Sequence, residues 1–120
     1  IFFSAVYQMK TIYCLELTGG RFYVGQTPKG RMDKRYDEHM YWKGAKWTTR
    51  YPPVRVLWSY DIDNEKANET EELECCSIMM KHGPNSCRGG TFNIGRHVPR
   101  RGPRWLKGIY LENWGEIVGH

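Results

Sequence analysis

Thr11-Ile12-Tyr13-Cys14-Leu15-Glu16-Leu17, then Thr18-Gly19-Gly20, then Arg21-Phe22-Tyr23-Val24-Gly25-Gln26-Thr27 decide the fold of this chain. Two runs rich in β-branched and aromatic residues flank a Gly-Gly turn, the pattern of a β-hairpin. Lys10 to Leu17 reads as one strand and Arg21 to Thr27 as its partner. Loop length sets the register. Three loop residues pair Leu17 with Arg21, Leu15 with Tyr23 and Tyr13 with Gly25. Side chains alternate along a strand, so Tyr13 and Tyr23 then share one face. A two-residue loop would put them on opposite faces. Gly25, opposite Tyr13, has no side chain, which leaves room there for a ligand.

Downstream, Thr27 reads as a helix cap and Pro28 suits a first turn, with Gly30 delaying the start to Arg31. From there to about Trp42, Met32, Tyr36 and Met40 form one stripe, and Arg31, Arg35 and His39 the neighbouring one. Gly44 ends that helix. Tyr51-Pro52-Pro53 is a rigid entry to a third strand, Val54 to Tyr60. A second helix starts at about Asp63 or Asn68 and runs to Lys81. Gly83 and Pro84 stop it, and Leu73, Cys76 and Met80 form its apolar face. Arg100 to Arg104 reads as loop and Trp105 to Val118 as a short last element. The fold class is α/β in the broad sense (α+β): a small central antiparallel sheet of about three strands flanked by helices.

At 120 residues, 40% of them hydrophobic, the chain suits one domain with a core of its own. The apolar run Ile1 to Tyr7 is too short to span a bilayer and lacks a basic leader, so no membrane partner is expected. A start at Ile1 rather than Met is what an excerpt of a longer protein would show. Cys75 and Cys76 are adjacent, a poor spacing for a disulfide framework with Cys14 and Cys87. A reducing, intracellular compartment, cytoplasmic or nuclear, is therefore expected. Cys76, His82 and Cys87 lack the Cys-x-x-Cys pairs that mark a zinc site.

The net charge is +5, and its distribution says more than its size. Residues 1–74 hold eleven Lys/Arg and eleven Asp/Glu, whereas residues 75–111 hold seven Lys/Arg and no acid. A one-sign stretch of this kind faces polyanions, and nucleic acid is the partner expected. Candidate contacts are Arg31 and Lys34 on the first helix, then Arg88, Arg96, Arg100, Arg101, Arg104 and Lys107, with Trp105 available to stack or pack.

The order strand, strand, helix, strand, helix, with tyrosines on the hairpin, resembles the GIY-YIG nuclease superfamily. Thr11-Ile12-Tyr13 stands for the first signature and Tyr23-Val24-Gly25 for the second. Arg35, with His39 four residues on, looks like the family's arginine–histidine pair. Gly44-Ala45-Lys46-Trp47-Thr48, and Lys81-His82-Gly83 through Arg88-Gly89-Gly90, resemble segments of a subgroup. The resemblance covers roughly residues 10 to 92. Residues 1–92 thus read as a nuclease-like domain and 93–120 as a basic C-terminal extension packing on it or following it. The chain departs from the pattern at Gln26, where some members carry Lys.

The resemblance implies a DNA endonuclease that uses one divalent ion, Mg2+ or Mn2+. Tyr13, Tyr23, Arg35, His39 and Glu71 are its implied catalytic residues, and Glu71, twelve residues before Gly83, is the implied metal ligand. Glu72 and Glu74 are rivals for that place. Asn68-Glu69-Thr70-Glu71 is also a capping-box pattern, in which Glu71 would close a helix start. The chemistry suits these residue types. A carboxylate with several waters holds Mg2+. Arginine's planar fork clamps a phosphate oxygen. A tyrosine, pKa ~10 when free, needs a cation or base beside it to activate water; Tyr23 is the residue expected to do so, with Tyr13 completing the hydrogen-bond chain and His39 accepting a proton. In such nucleases target specificity comes from elements outside the catalytic domain, so further DNA-binding domains of a longer chain are implied partners. The alternatives are a noncatalytic nucleic-acid-binding module on the same scaffold and an RNA nuclease.

Overall fold

The computed structural model describes residues 9–41, 43–90, 93–99 and 108–119. Strands β1 (Met9–Leu17) and β2 (Arg21–Pro28) form the hairpin. β3 (Pro53–Asp63) pairs antiparallel with β1, and a two-residue β4 (Cys87–Arg88) pairs parallel with β2. The sheet order is β3-β1-β2-β4. Around it lie helices α1 (Met32–Met40), α2 (Lys46–Arg50), α3 (Asn64–His82) and α4 (Gly108–Val118). The class is α+β, and the parallel β4 makes the sheet mixed, with one strand more than the three read from the sequence.

The hairpin register is the one a three-residue loop dictates: Leu17 faces Arg21, Leu15 faces Tyr23 and Tyr13 faces Gly25. Gly19 and Gly20 carry the turn at φ +77° and +71°, a region side chains with a Cβ avoid. β1 lies inside the sheet with both faces covered, so Ile12, Tyr13, Cys14 and Leu15 are all fully buried. On one face, Ile12, Cys14 and Val24 pack against Ala67, Cys75, Cys76 and Met79 of α3 and against α4. On the other, Tyr13, Leu15, Leu17 and Tyr23 surround Trp47 of α2, with Met32 and Tyr36 of α1 alongside. The Trp47 indole N–H donates to the Phe22 carbonyl (3.0 Å), which lets so large a ring be buried without an orphaned donor.

Several expectations are corrected. Thr27 is not a helix cap: it is buried within β2 opposite Thr11. The helix waits until Met32, after Gly30 at φ +88°. Met40 is 40% exposed, and His39 takes the buried place. At 100° per residue, His39 lies about 20° from the Met32 direction, and Met40 about 80° from it. By the same arithmetic Leu73, two residues from Glu71, turns away from the sheet and is 49% exposed. The inward stripe of α3 is Ala67, Glu71, Cys75 and Met79, at intervals of four. Because α3 begins at Asn64, Glu71 sits two turns inside it, and the capping-box reading fails.

Arg88 is corrected as well. It was a candidate nucleic-acid contact, yet it is fully buried. It donates to the carbonyls of Pro84, Cys87 and Arg96 and to Asn85 Oδ1 at 2.7–2.9 Å. Its guanidinium lies 4.3 Å over the Trp47 ring. Burial lowers its pKa to about 10, so it remains a cation at neutral pH. The chain past residue 92 joins the same core. Val98 is buried, Tyr110, Trp114 and Ile117 pack with α3, and the Tyr110 hydroxyl donates to the Gly89 carbonyl (3.0 Å). Arg100, Arg101, Arg104, Trp105 and Lys107 lie outside the described residues. No helix among the described residues is long and apolar enough to cross a membrane. All four cysteines are buried free thiols.

Gly25 gives a direct check on this packing. A Cβ there would overlap the Tyr13 phenol oxygen and come within 2.8 Å of the Tyr23 ring. The space expected for a ligand is thus filled by Tyr13 itself. Gly25→Ala should lower stability by about 2 kcal/mol through overpacking, read as a lower urea midpoint at constant slope.

Candidate active site

Tyr13 and Tyr23 share the sheet face that α1 and α2 cover, as alternation requires. Their ring centroids are 6.3 Å apart. His39, from the last turn of α1, packs between them, 5.8 Å from Tyr13 and 5.0 Å from Tyr23. Room for this imidazole depends on Gly44, where a Cβ would overlap His39 Nδ1. One turn earlier on α1, Arg35 reaches the same spot.

Four side chains form a directed hydrogen-bond chain. The Thr48 hydroxyl donates to the Ala45 carbonyl (2.8 Å), so its oxygen accepts from His39 Nδ1–H (2.8 Å). That leaves His39 Nε2 as an acceptor, and the Tyr13 hydroxyl donates to it at 2.8 Å. Arg35 Nε–H donates to the same phenol oxygen at 3.3 Å. Tyr13 thus has a base on one side and a cation on the other. Burial raises the Tyr13 pKa to about 12 despite the opposing pull of Arg35. Burial, then the Arg35 charge, lowers that of His39 to about 4. Tyr23, nearly fully buried, is also raised, by burial first and then by Tyr13 and Glu71. At neutral pH both phenols are protonated and the imidazole is neutral.

Glu71 approaches from the other face. β4 pairs with β2 only at Phe22 and Tyr23, and beyond it the chain turns through Gly89 and Gly90 along the β2 edge. A Cβ on Gly89 would overlap the Val24 carbonyl, so only glycine brings this turn so close. There the Gly90 N–H donates to Glu71 Oε1 (2.9 Å) and the Gln26 amide donates to Glu71 Oε2 (2.6 Å). The same amide nitrogen is 2.8 Å from Asn68 Oδ1. Glu71 acts electrostatically on Tyr13 and Tyr23, and Arg35 on Glu71. Burial raises the Glu71 pKa, while its two hydrogen bonds work the other way. Of its rivals, Glu74 accepts from the Tyr60 hydroxyl (2.6 Å) on the β3 side. Glu72 shares with Glu71, Asn68 and Gly90 a cleft of about 310 Å³.

These donors fit Mg2+ or Mn2+. They are hard oxygens, and each Glu71 oxygen keeps a second lone pair beside its hydrogen bond. Among the described residues no three or more His, Cys, Asp or Glu side chains are placed to hold a metal ion together. An ion here would keep most of its shell as water, as Mg2+ readily does.

Of the other candidate contacts, Arg31, Lys34 and Arg96 are exposed. Gln26 and Thr48, which hydrogen-bond Glu71 and His39, were not read from the sequence as members of the candidate site. Thr48 closes the Gly44-to-Thr48 segment already singled out, and Gln26 stands where the chain departs from the resembled pattern.

The relay has a pH signature. The unfolded chain binds a proton at His39 below about 6.5, the folded protein only near 4. The stability from keeping this imidazole neutral is complete above pH 6.5 and is lost as pH falls toward 4, by up to ~3 kcal/mol. Glu71, with its pKa raised, contributes in the opposite sense. Urea midpoints of wild type and His39→Gln should therefore converge between pH 7 and 4.5. A constant gap would mean that His39 does not titrate in this window.

Among curated proteins, a UPF0213 protein of Halalkalibacterium halodurans is 30% identical over 83 residues, covering 68% of this chain and 86% of that protein. The chain belongs to the UPF0213 family. A UPF0213 protein of Cupriavidus necator is 36% identical over 63 residues, 52% of this chain and 66% of its own length, just under two thirds. One of Cupriavidus pinatubonensis is 44% identical over 46 residues, 38% of this chain and 49% of its own length. No family model matches the chain, and no solved structure matches it. The names of these UPF0213 proteins specify no activity.

Proposed function

We propose that this chain is a metal-dependent endonuclease domain of GIY-YIG type that hydrolyses phosphodiester bonds in DNA. The observation that carries the reading is the hydrogen-bonded chain Arg35–Tyr13–His39–Thr48 with Glu71 in electrostatic reach across the β2 edge. Arg35, partly exposed, binds the scissile phosphate. The Tyr13 phenol takes the proton of the attacking water as it passes its own to His39 Nε2, ending neutral with the proton on the imidazole, and the Arg35 cation stabilises the negative charge that develops on the phenol oxygen during the transfer. Tyr23, packed against His39, orients that water. The base role thereby moves from Tyr23 to Tyr13, because Tyr13 has the imidazole acceptor. Glu71, with Asn68 and Glu72 beside it, would hold the divalent ion. When bound, that ion supplies positive charge for the phosphate and leaving oxygen.

A noncatalytic nucleic-acid-binding module is the second reading, favoured by the full burial of Tyr13 and by the two hydrogen bonds already held by Glu71. Incubation with plasmid, branched DNA and RNA, each with Mg2+ or EDTA, separates the readings. Metal-dependent nicking of DNA is expected. Binding without cleavage of any substrate would favour the module, and cleavage of RNA alone would move the substrate class. Arg35→Lys keeps a charge but loses the planar fork and the Nε–H bond to Tyr13. Turnover should fall about 100-fold, ~2.7 kcal/mol. Full activity would reduce Arg35 to a general electrostatic role.

A further inference from the structure

A second charged surface lies beside the relay. The loop Gly44–Lys46, which closes over His39, faces residues 93–96 across a cleft of about 580 Å³. Lys46 and Arg96 stand at its lining, both exposed. Gly95 packs so tightly on Lys46 that a Cβ would overlap it. Arg50 donates to the Gly95 carbonyl (3.4 Å) and also lies 5.6 Å from the centre of the Tyr51 ring. Arg21, held by the Gly19 carbonyl (2.9 Å), covers Tyr51 at 4.4 Å. His97 stacks on Tyr51 at 19° and shares a hydrogen bond with its hydroxyl (2.6 Å).

No acid compensates these cations. The ion pairs among the described residues are Lys29–Asp61, Arg35–Glu38 and Arg55–Glu16, none of them here. Residues 1–8, 42, 91–92, 100–107 and 120, which lie outside the described residues, contain no Asp or Glu. Burial and then Arg50, Arg21 and Arg88 lower the His97 pKa, as a net positive field requires. Two of the guanidiniums are held by backbone carbonyls rather than free in solvent. An ordinary solvated surface of this size would mix both signs.

We propose that the surface formed by Arg21, Lys46, Arg50 and Arg96 around the Tyr51–His97 stack binds the phosphate backbone of DNA, and that the strand runs from it to the relay over the Gly44 loop. The course of the strand rests on the nuclease reading; the binding surface does not. Charge complementarity selects the occupant: several cations without an acidic partner suit a polyanion of regularly spaced phosphates.

The test is equilibrium binding of a fluorescein-labelled DNA duplex in EDTA, followed by anisotropy over a range of salt. Lys46→Gln, Arg50→Gln and Arg96→Gln are combined in one variant. These positions are exposed, so the fold should persist, and thermal melting checks it. A control variant combines Arg55→Gln, Lys66→Gln and Lys81→Gln, removing the same charge elsewhere. Every phosphate that the protein no longer neutralises lowers the slope of log affinity against log salt by ~0.9, so the first variant should show a slope shallower by roughly 2 to 3 units and the control almost no change. Equal slopes in the two variants, or no binding by the wild type, would overturn the proposal. Wild-type cleavage in Mg2+ is scored separately. Binding that depends on these residues without cleavage sinks only the nuclease reading, and cleavage with unchanged slopes sinks only this surface.

Discussion

Glu71→Ala is expected to abolish cleavage, lowering the single-turnover rate about 10³-fold or more, ~4 kcal/mol of transition-state stabilisation. DNA binding in EDTA should be almost unchanged. The size of the effect follows from the donor set: Glu71 is the carboxylate on the sheet-facing stripe of α3, and Glu74 is engaged with Tyr60. Ala also leaves the Gly90 N–H without its acceptor and the Gln26 amide with Asn68 alone, which costs about 1–2 kcal/mol of stability. Glu71→Gln keeps the shape and one acceptor oxygen, so its stability should stay nearer wild type while activity is still lost. Glu74→Ala should cut normally. Wild-type rates in Glu71→Gln, or their loss in Glu74→Ala, would show that the metal ligand has been placed one helical turn from its true position.

Tyr13→Phe should reduce turnover by 10²- to 10⁴-fold, the range spanned by loss of a positioned acid–base group. It also removes the donor to His39 Nε2 and the acceptor of Arg35 Nε–H. A stability loss of about 1–2 kcal/mol should accompany it. Tyr23→Phe provides the contrast. Its ring stays packed, and no hydrogen bond ties its hydroxyl among the described residues, so folding should barely change while turnover falls. Comparable losses of melting temperature and activity in Tyr23→Phe would instead make it a core hydroxyl with no chemical role. If Tyr13→Phe cleaves at the wild-type rate, the proton does not travel through His39.

The hairpin was legible up to one integer, the loop length: three residues or two were open in the sequence, and the observed register is that of three. The sharing of a face by Tyr13 and Tyr23 follows from that integer alone. Helix boundaries and faces were less legible. Met40 and Leu73 are apolar but point outward, while His39 and Glu71 are polar and point inward. In both helices a polar side chain displaced a hydrophobic one from the buried stripe, which a hydrophobic pattern cannot show. Helix α2 was missed because five residues are too few for periodicity, although Trp47 within it organises a whole face of the core. Arg88 was misread for a different reason. A charge read from sequence is taken as exposed, and three of its four acceptors, the carbonyls of Pro84, Cys87 and Arg96, are backbone atoms with no signature of their own.

Arg88 has a consequence for how the metal question is answered. Pro84, Asn85, Cys87 and Arg96 turn their oxygens onto its guanidinium much as a small loop wraps carbonyls about a calcium ion, but here the organising cation is covalently part of the chain. A chelator cannot strip it, dilution cannot release it, and with a pKa near 10 it keeps its charge across the neutral range. The turn that presents the Gly90 N–H to Glu71 therefore persists in EDTA. Loss of cleavage in chelator, the outcome the proposed function expects, would then not be due to collapse of this turn, because the loop framing that carboxylate carries its own ion with it.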